Sequence, residues 1–356
     1  MTRAARTLSV IGAIVVLGGI GLSLTDSADG SGRPIRGSLA PLDSSRVEGW
    51  TELARFTPEE LTSGRIRALD VVADSVFVLQ SHAWSLVVGG QLQGTYGTAI
   101  TGAPEYLARA EGIARTTEGV AVLDAPRQRI TMWSAAGERL ADREIVQAEG
   151  RVQLHQALTP SAAGPLLTSW VSTDSGGQWL VQRFRDNRVD TLPPTTRQRI
   201  GESFNLPLLL PRADSTLLVV EAETWRIRQL SPTLAPMDSA VREAPPRFRV
   251  PTSVARRLRE TTARIPEAQR RDFLLSESLP SVRTATITDN GELLVLTIFD
   301  EEATVAELVG VDGRAIASLW TRPDSNAIFA VRGSLIRVRE LSDVTIIERL
   351  RLQPND

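Results

Sequence analysis

The chain has 356 residues, a formal net charge of −2 and 42% hydrophobic residues. That is apolar content enough for one large core, with no charge excess to draw a polyanion. Cysteine is absent, which excludes a disulfide framework, a thiolate metal site, a cysteine nucleophile and a lipid-modified cysteine. All 40 basic residues are arginine; compositional bias is the simpler reading, and arginine-specific recognition at a binding surface is the alternative.

Arg3 and Arg6 precede an unbroken apolar-and-glycine run from Leu8 to Leu24, and the first acid is Asp26. Basic residues stay on the cytoplasmic side, so everything after Leu24 is expected to be translocated. The run is near the lower limit for a spanning helix and long for the apolar part of a signal peptide. Gly21-Leu22-Ser23 could serve for cleavage, whereas Asp26-Ser27-Ala28 carries an acid at the wrong place. Residues 1–24 are therefore read as a signal anchor, with a cleaved signal peptide as the alternative. The anchor would cross the bacterial inner membrane through residues 8–24 and leave the rest on the periplasmic side; a cleaved chain would be free in the periplasm. Residues 25–46, rich in Ser, Gly, Asp and Pro without periodicity, read as a flexible linker. The folded domain is expected over 47–356.

From Gly94 to Glu144 the pattern is that of a four-stranded antiparallel meander. Its β-rich runs are Glu111–Ala114, Val120–Leu123, Arg129–Trp133 and Arg139–Glu144, separated by the breaker clusters Thr116–Gly119, Asp124–Arg127 and Ser134–Gly137. Such a meander cannot bury both faces alone and needs neighbours of its own kind. The Val120–Leu123 signature recurs at Val76–Leu79, Leu166–Val171, Leu217–Val220, Leu293–Ile298 and Ala327–Val331, each followed by a turn and a further strand. Six units result, and the fold class expected is all-β, a six-bladed β-propeller. A ring of this kind must be sealed, and Trp50–Phe56 is a spare run available to pair with the first or last blade.

Val120–Leu140 (VAVLDAPRQRITMWSAAGERL) resembles the repeat of NHL-type six-bladed propellers: strand, Asp, polar turn, Arg-Ile, strand, Gly turn. The preceding Gly94–Ala114 resembles the glycine-rich connection between blades in that family, with Gly102-Ala103-Pro104-Glu105 where the family has Gly-Pro-Gly-Glu. Leu218–Pro232 resembles the same repeat with Glu221 in place of the Asp. The span from Val47 to Leu352 also looks like exported bacterial six-bladed propellers with a helical insertion after the fourth blade. The insertion is placed at Val250–Leu279, where Val254, Leu258 and Ile265 form a helical apolar stripe and Pro266 separates two helices. Its mixed charge reads as a solvated face, or alternatively as a lid or docking surface.

No catalytic or cofactor-binding residue can be assigned. His82 and His155 are isolated, without the spacing of a metal pair. Asp124, Glu221 and Asp300, at second-strand ends, could converge near a ring axis and take Ca²⁺ through oxygen ligands; an Asp there more often caps its own turn. There is no Gly-x-Ser-x-Gly elbow, and Gly89-Gly90 and Gly94-x-x-Gly97 fall among strands rather than ahead of a helix. Acids balance the arginines, which argues against nucleic acid. The tryptophans fall mostly within strands and read as packing between blades. Two functions remain open: a monomeric binding or scaffold module for a protein or small-molecule ligand, and a metal-dependent hydrolase or lyase of the lactonase kind acting at the channel mouth.

Overall fold

The computed structural model describes residues 47–352 except 62–63, 147–151, 162–163, 174–175, 185–187, 192–207, 213–215, 222–225, 234, 242–247, 250–277, 280–281, 289–290, 299–303, 310–314 and 322–326. After β1 (Val47–Phe56) the chain lays down four-stranded antiparallel meanders one after another. The first is β2 (Ala68–Val72), β3 (Ser75–Leu79), β4 (Trp84–Val88) and β5 (Gln91–Tyr96); the second is β6 (Ala110–Arg115), β7 (Val120–Asp124), β8 (Arg129–Trp133) and β9 (Arg139–Glu144). The third comprises β10 (Val152–Thr159), β11 (Leu166–Thr173), β12 (Gly176–Arg183) and β13 (Arg188–Thr191), and the fourth β14 (Leu208–Pro211), β15 (Leu217–Glu221), β16 (Arg226–Leu230) and β17 (Pro236–Val241). A two-stranded ladder, β18 (Phe248–Arg249) on β19 (Ser278–Leu279), precedes the fifth meander: β20 (Val282–Ile287), β21 (Leu293–Ile298), β22 (Thr304–Val309) and β23 (Ala315–Thr321). The last sheet is β24 (Ala327–Val331), β25 (Ser334–Glu340) and β26 (Thr345–Leu352), with β1 added outside β26.

The local rule behind each meander is visible in the second sheet. Every residue of β7 and β8 is buried, whereas β9 is exposed apart from half-buried Arg139 and Arg143. Strands inside a sheet with both faces covered read as continuous apolar runs, and the outer strand reads as a wet edge. Burying side chains such as Val122, Leu123 and Ile130 stabilises the sheet by about 1.5–3 kcal/mol each. Between β6 and β7 the chain turns at Gly119, φ +150°, where a Cβ would sit 1.9 Å from the Trp133 carbonyl oxygen.

Successive sheets pack face to face. Ala54, Phe56, Ile336, Val338 and Ile347 of the last sheet meet Leu69, Val71, Val76 and Val78 of the first. Phe77, Leu79 and Trp84 meet Ile113, Val120, Val122 and Trp133. Leu123, Ile130 and Met132 meet Leu158, Leu167 and Phe184. Trp179 and Val181 meet Leu209, Leu217 and Val219, and Leu218, Val220 and Ile227 meet Ala285, Leu293 and Val295. The first strand of each meander contacts its counterparts, β24 with β2, β2 with β6, β6 with β10, and β20 with both β14 and β24, so the first strands lie innermost. The arrangement is a β-propeller.

The spare N-terminal run does seal the last sheet, in the register Trp50↔Leu350 to Phe56↔Thr345. Two expectations are corrected. Ala327–Val331 is not a second strand but the innermost strand β24, because β1 supplies the outer position that a fourth consecutive strand fills elsewhere. The end of the expected insertion, Ser278–Leu279, is strand, and it pairs with Phe248–Arg249 so that the two ends of the insertion meet. The apolar run Leu8–Leu24, the linker and the expected insertion helices lie outside the described residues. Among the described residues no helix is long and apolar enough to cross a membrane.

Candidate functional site

The connection from β5 to β6 covers one end of the second sheet and is tied down residue by residue. It leaves β5 at Gly97, φ +95°, where a Cβ would lie 2.8 Å from the His82 carbonyl oxygen, so only glycine lets the chain pass. The loop then closes on itself: Thr98 N–H donates to the Glu105 carbonyl at 3.1 Å, and Leu107 N–H to the Thr98 carbonyl at 3.0 Å. Leu107 is fully buried between the first two sheets. His82 Nδ1–H donates to the Leu107 carbonyl at 2.9 Å and so anchors the loop.

Asp124 is fully buried, and its two oxygens accept the backbone N–H groups of Ala108 at 3.3 Å and Arg109 at 3.2 Å. Its own turn, a 3-10 turn at Ala125–Arg127, receives no side-chain cap from it. The expected capping role is thus corrected to a clasp on the incoming loop. Arg129, directly opposite Asp124 in the β7–β8 register, holds its Nε 3.5 Å from the carboxylate and donates from Nη2 to the Tyr106 carbonyl at 3.2 Å. Here the Asp–turn–Arg repeat acquires its physical meaning: acid and base face each other across a hairpin and together hold the loop. Glu221 and Arg226 occupy the same opposed positions in β15–β16. The side chains of Glu221, Asp300 and His155 lie outside the described residues.

Under the loop lies a cleft of about 530 Å³, lined by Gly102, Ala103, Tyr106, Pro126 and three arginines, Arg127, Arg129 and Arg139. Arg139 donates two bonds to the Asp142 Oδ1, at 3.1 and 2.6 Å, and Arg129 reaches the same carboxylate. The Arg127 guanidinium stands 5.3 Å over the Tyr106 ring. Burial foremost lowers the Arg129 pKa, and the nearby charges of Arg127 and Arg139 lower it further against the opposing pull of Asp142.

At the starts of the inner strands β2 and β6 lies a second charged group. Arg109 Nε donates to Glu111 Oε1 at 2.8 Å, and Arg67 Nε to Ser81 Oγ at 2.9 Å. Burial raises the Glu111 carboxyl above its ordinary range, outweighing the attraction of Arg109 and Arg67. Burial likewise lowers Arg67, with Arg109 adding to the effect. At the other end of these strands, fully buried Asp70 takes a two-pronged Arg332 (2.7 and 2.9 Å) and the Arg115 backbone N–H at 2.7 Å. The neighbouring Gly333 N–H donates to Thr286 Oγ1 on β20 at 2.9 Å.

Of the residues singled out by sequence, Asp124 and His82 are brought to the same loop, both as anchors. Arg67, Asp70, Arg109, Glu111, Arg139 and Arg332 were not anticipated. For Arg332 the available signal was the Arg-Gly turn between two apolar runs; for the others no spacing rule applies. Among the described residues no three metal-ligating side chains converge. Trp84 and Trp133, both fully buried, meet edge to face at 6.0 Å across the first two sheets, the packing role expected of them.

No protein-family model matches the chain, and no curated protein matches it. Among solved structures it is similar to a DUF4221 family member from Bacteroides vulgatus, at 8% identity and a TM-score of 0.57 over 87% of this chain and 98% of that one. It is similar also to a Bacteroides fragilis protein taken to be exported, at 10% identity and a TM-score of 0.56 over 88% and 98%. A streptogramin B lyase matches at 12% identity and a TM-score of 0.48 over 86% and 98%. At these identities the likeness is one of fold.

Proposed function

We propose that this chain is an exported six-bladed β-propeller with NHL-like repeats that acts as a binding module. Residues 1–24 anchor it in the inner membrane, residues 25–46 are the tether, and residues 47–356 are a monomeric domain on the periplasmic side. The export reading rests on Arg3 and Arg6 ahead of Leu8–Leu24. The six-blade reading is supported by the four-stranded sheets among the described residues and by the packing of neighbouring sheets.

One observation carries the binding reading. The loop end holds a preformed cleft lined by arginines, while the carboxylates beside it, Asp124 and Asp142, are already engaged by arginine or backbone donors. Fixed donors around an open cavity suit recognition, and carboxylates bound up in ion pairs are poor proton shuttles. The test is a thermal-shift screen of the purified domain against small-molecule libraries, with each hit recovered afterwards and analysed by mass spectrometry. A binding module returns its ligand unchanged. Conversion of a hit, lost on metal chelation, would establish the hydrolase or lyase alternative instead. In cells, an alkaline phosphatase fused to the C-terminus should be active and sediment with membranes; an inactive fusion would overturn the export reading.

A further inference from the structure

The cleft under the β5–β6 loop has a chemical bias beyond simple concavity. We propose that it binds a small organic anion, a carboxylate or phosphate group joined to an apolar body; this rests on the binding-module reading and gives it a ligand class.

The charge argument comes first. Three arginines and, among the described residues, no acid line the cleft. Arg129 and Arg139 share a single carboxylate, Asp142, which is only about one-third exposed and is already taken from both sides. The second acid near Arg129, Asp124, is fully buried and accepts the Ala108 and Arg109 N–H groups. Arg127 has no carboxylate partner among the described residues; its guanidinium stands over the Tyr106 ring. The cleft thus carries uncompensated positive charge, and its arginines repel one another. An anion entering it would relieve that repulsion and meet the guanidinium fork of Arg127, which can bind a carboxylate or phosphate through paired bonds.

The donors are also fixed before any ligand arrives. Arg129 is held by Asp124 and by the Tyr106 carbonyl, Arg139 by two bonds to Asp142, and Arg127 by the aromatic face beneath it. Little side-chain freedom remains to be lost on binding. The other walls are apolar or flat: Ala103, Ala108, Pro126 and the Tyr106 ring. Ile100, next in the chain to the lining residue Thr101, is 70% exposed at the tip of the loop. A bare inorganic ion would use the arginines and leave these surfaces wet; an anion with an apolar body uses both. A volume of about 530 Å³ is that of a small-molecule site.

Titration calorimetry at low salt with four probes tests the assignment: phenyl phosphate, benzoate, inorganic phosphate and the uncharged benzamide. Phenyl phosphate or benzoate should bind, with the stronger of the two naming the head group. Benzamide should not bind, inorganic phosphate should bind more weakly than phenyl phosphate, and added NaCl should weaken every interaction. Arg127→Gln and Arg139→Gln should each lower affinity roughly tenfold or more, the scale of a lost charge-assisted bond. Arg127→Gln breaks no side-chain hydrogen bond among the described residues, so its melting temperature should stay close to that of the unsubstituted chain. Arg55→Gln, at an exposed position of β1, should leave binding as it was. Failure of every anion to bind, or binding that survives the Arg127→Gln, Arg139→Gln double variant, overturns the proposal. Equal affinity for inorganic and phenyl phosphate overturns its apolar half. None of these failures touches the binding-module reading, which stands or falls on whether screened ligands are returned unchanged.

Discussion

Asp70 on β2 and Arg332, in the turn after β24, form an ion pair that spans the seam where the first and last sheets meet. The carboxylate is 1% exposed while the guanidinium is 38% exposed, so the cost of separating them falls on Asp70. Removing the arginine strands a buried charge with only backbone donors left. Arg332→Ala is accordingly expected to cost about 3–5 kcal/mol, measured by urea unfolding. Asp70→Asn, which keeps the shape and some acceptor capacity, should cost less; the reverse order would show that Arg332 contributes through something other than this pair. Glu111 behaves oppositely. Its carboxyl is raised by burial, so the folded state holds its proton more tightly than the unfolded chain does. That contribution to stability is present at low pH and is lost as pH rises from the ordinary glutamate range, about 4.3, through the raised value. Glu111→Gln should flatten this decline, seen as urea midpoints that fall less between acid and neutral pH than those of the unsubstituted chain.

Among elements, β1 matters most because it is last in place though first in sequence. It buries Ala54 and Phe56 in the seam between the last and first sheets, and its ladder covers the outer edge of β26. Trp50 lies under the Arg337 guanidinium at 4.2 Å, fixing the far end of the strand to β25. Loss of Phe56 alone forfeits about 1.5–3 kcal/mol of burial, and loss of the strand leaves β26 as an open edge that invites association. A chain begun at Arg46 should therefore be soluble and monomeric with a β-type circular dichroism spectrum. A chain begun at Thr57 should aggregate, as read by size-exclusion chromatography. Equal behaviour of the two would mean the ring closes without its N-terminal strand.

For the whole molecule, the decisive feature is that, among the described residues, each sheet packs on the sheets beside it, so material inserted between sheets need not disturb the ring. The β18–β19 ladder makes this concrete, since Arg249 and Ser278 are paired and a tight turn can join them. Replacing residues 250–277 by Asn-Gly should leave the fold intact and lower the melting temperature only modestly. Loop-closure cost changes slowly with length, by about 0.6 kcal/mol per doubling. Failure of that shortened chain to fold would show that the insertion supplies core to the sheets on either side.

The sequence by itself determined the repeat. Apolar runs bounded by Gly, Asp and Ser turns located β7, β8 and β21 to within a residue, because a strand buried on both faces can tolerate little else. It was weaker on first strands such as β2, β10 and β14, whose residues are shared between two neighbouring sheets and the axis and so carry no clean alternation. It could not rank Ala327–Val331 as innermost, since that depends on β1 pairing across nearly the whole length of the chain. The candidate site was less legible still. Asp124 and Arg129 are close in sequence and stood out as a motif, but their work is to hold a loop whose residues come earlier. Arg127 and Arg139 are joined in one cleft only after β8 and β9 pair and the β5–β6 loop folds over them. Asp70 and Arg332 meet only when the ring closes. Hydrophobic patterning acts locally and is written into each segment; the convergence of charges depends on how those segments are brought around one axis, and the tertiary structure alone decided it.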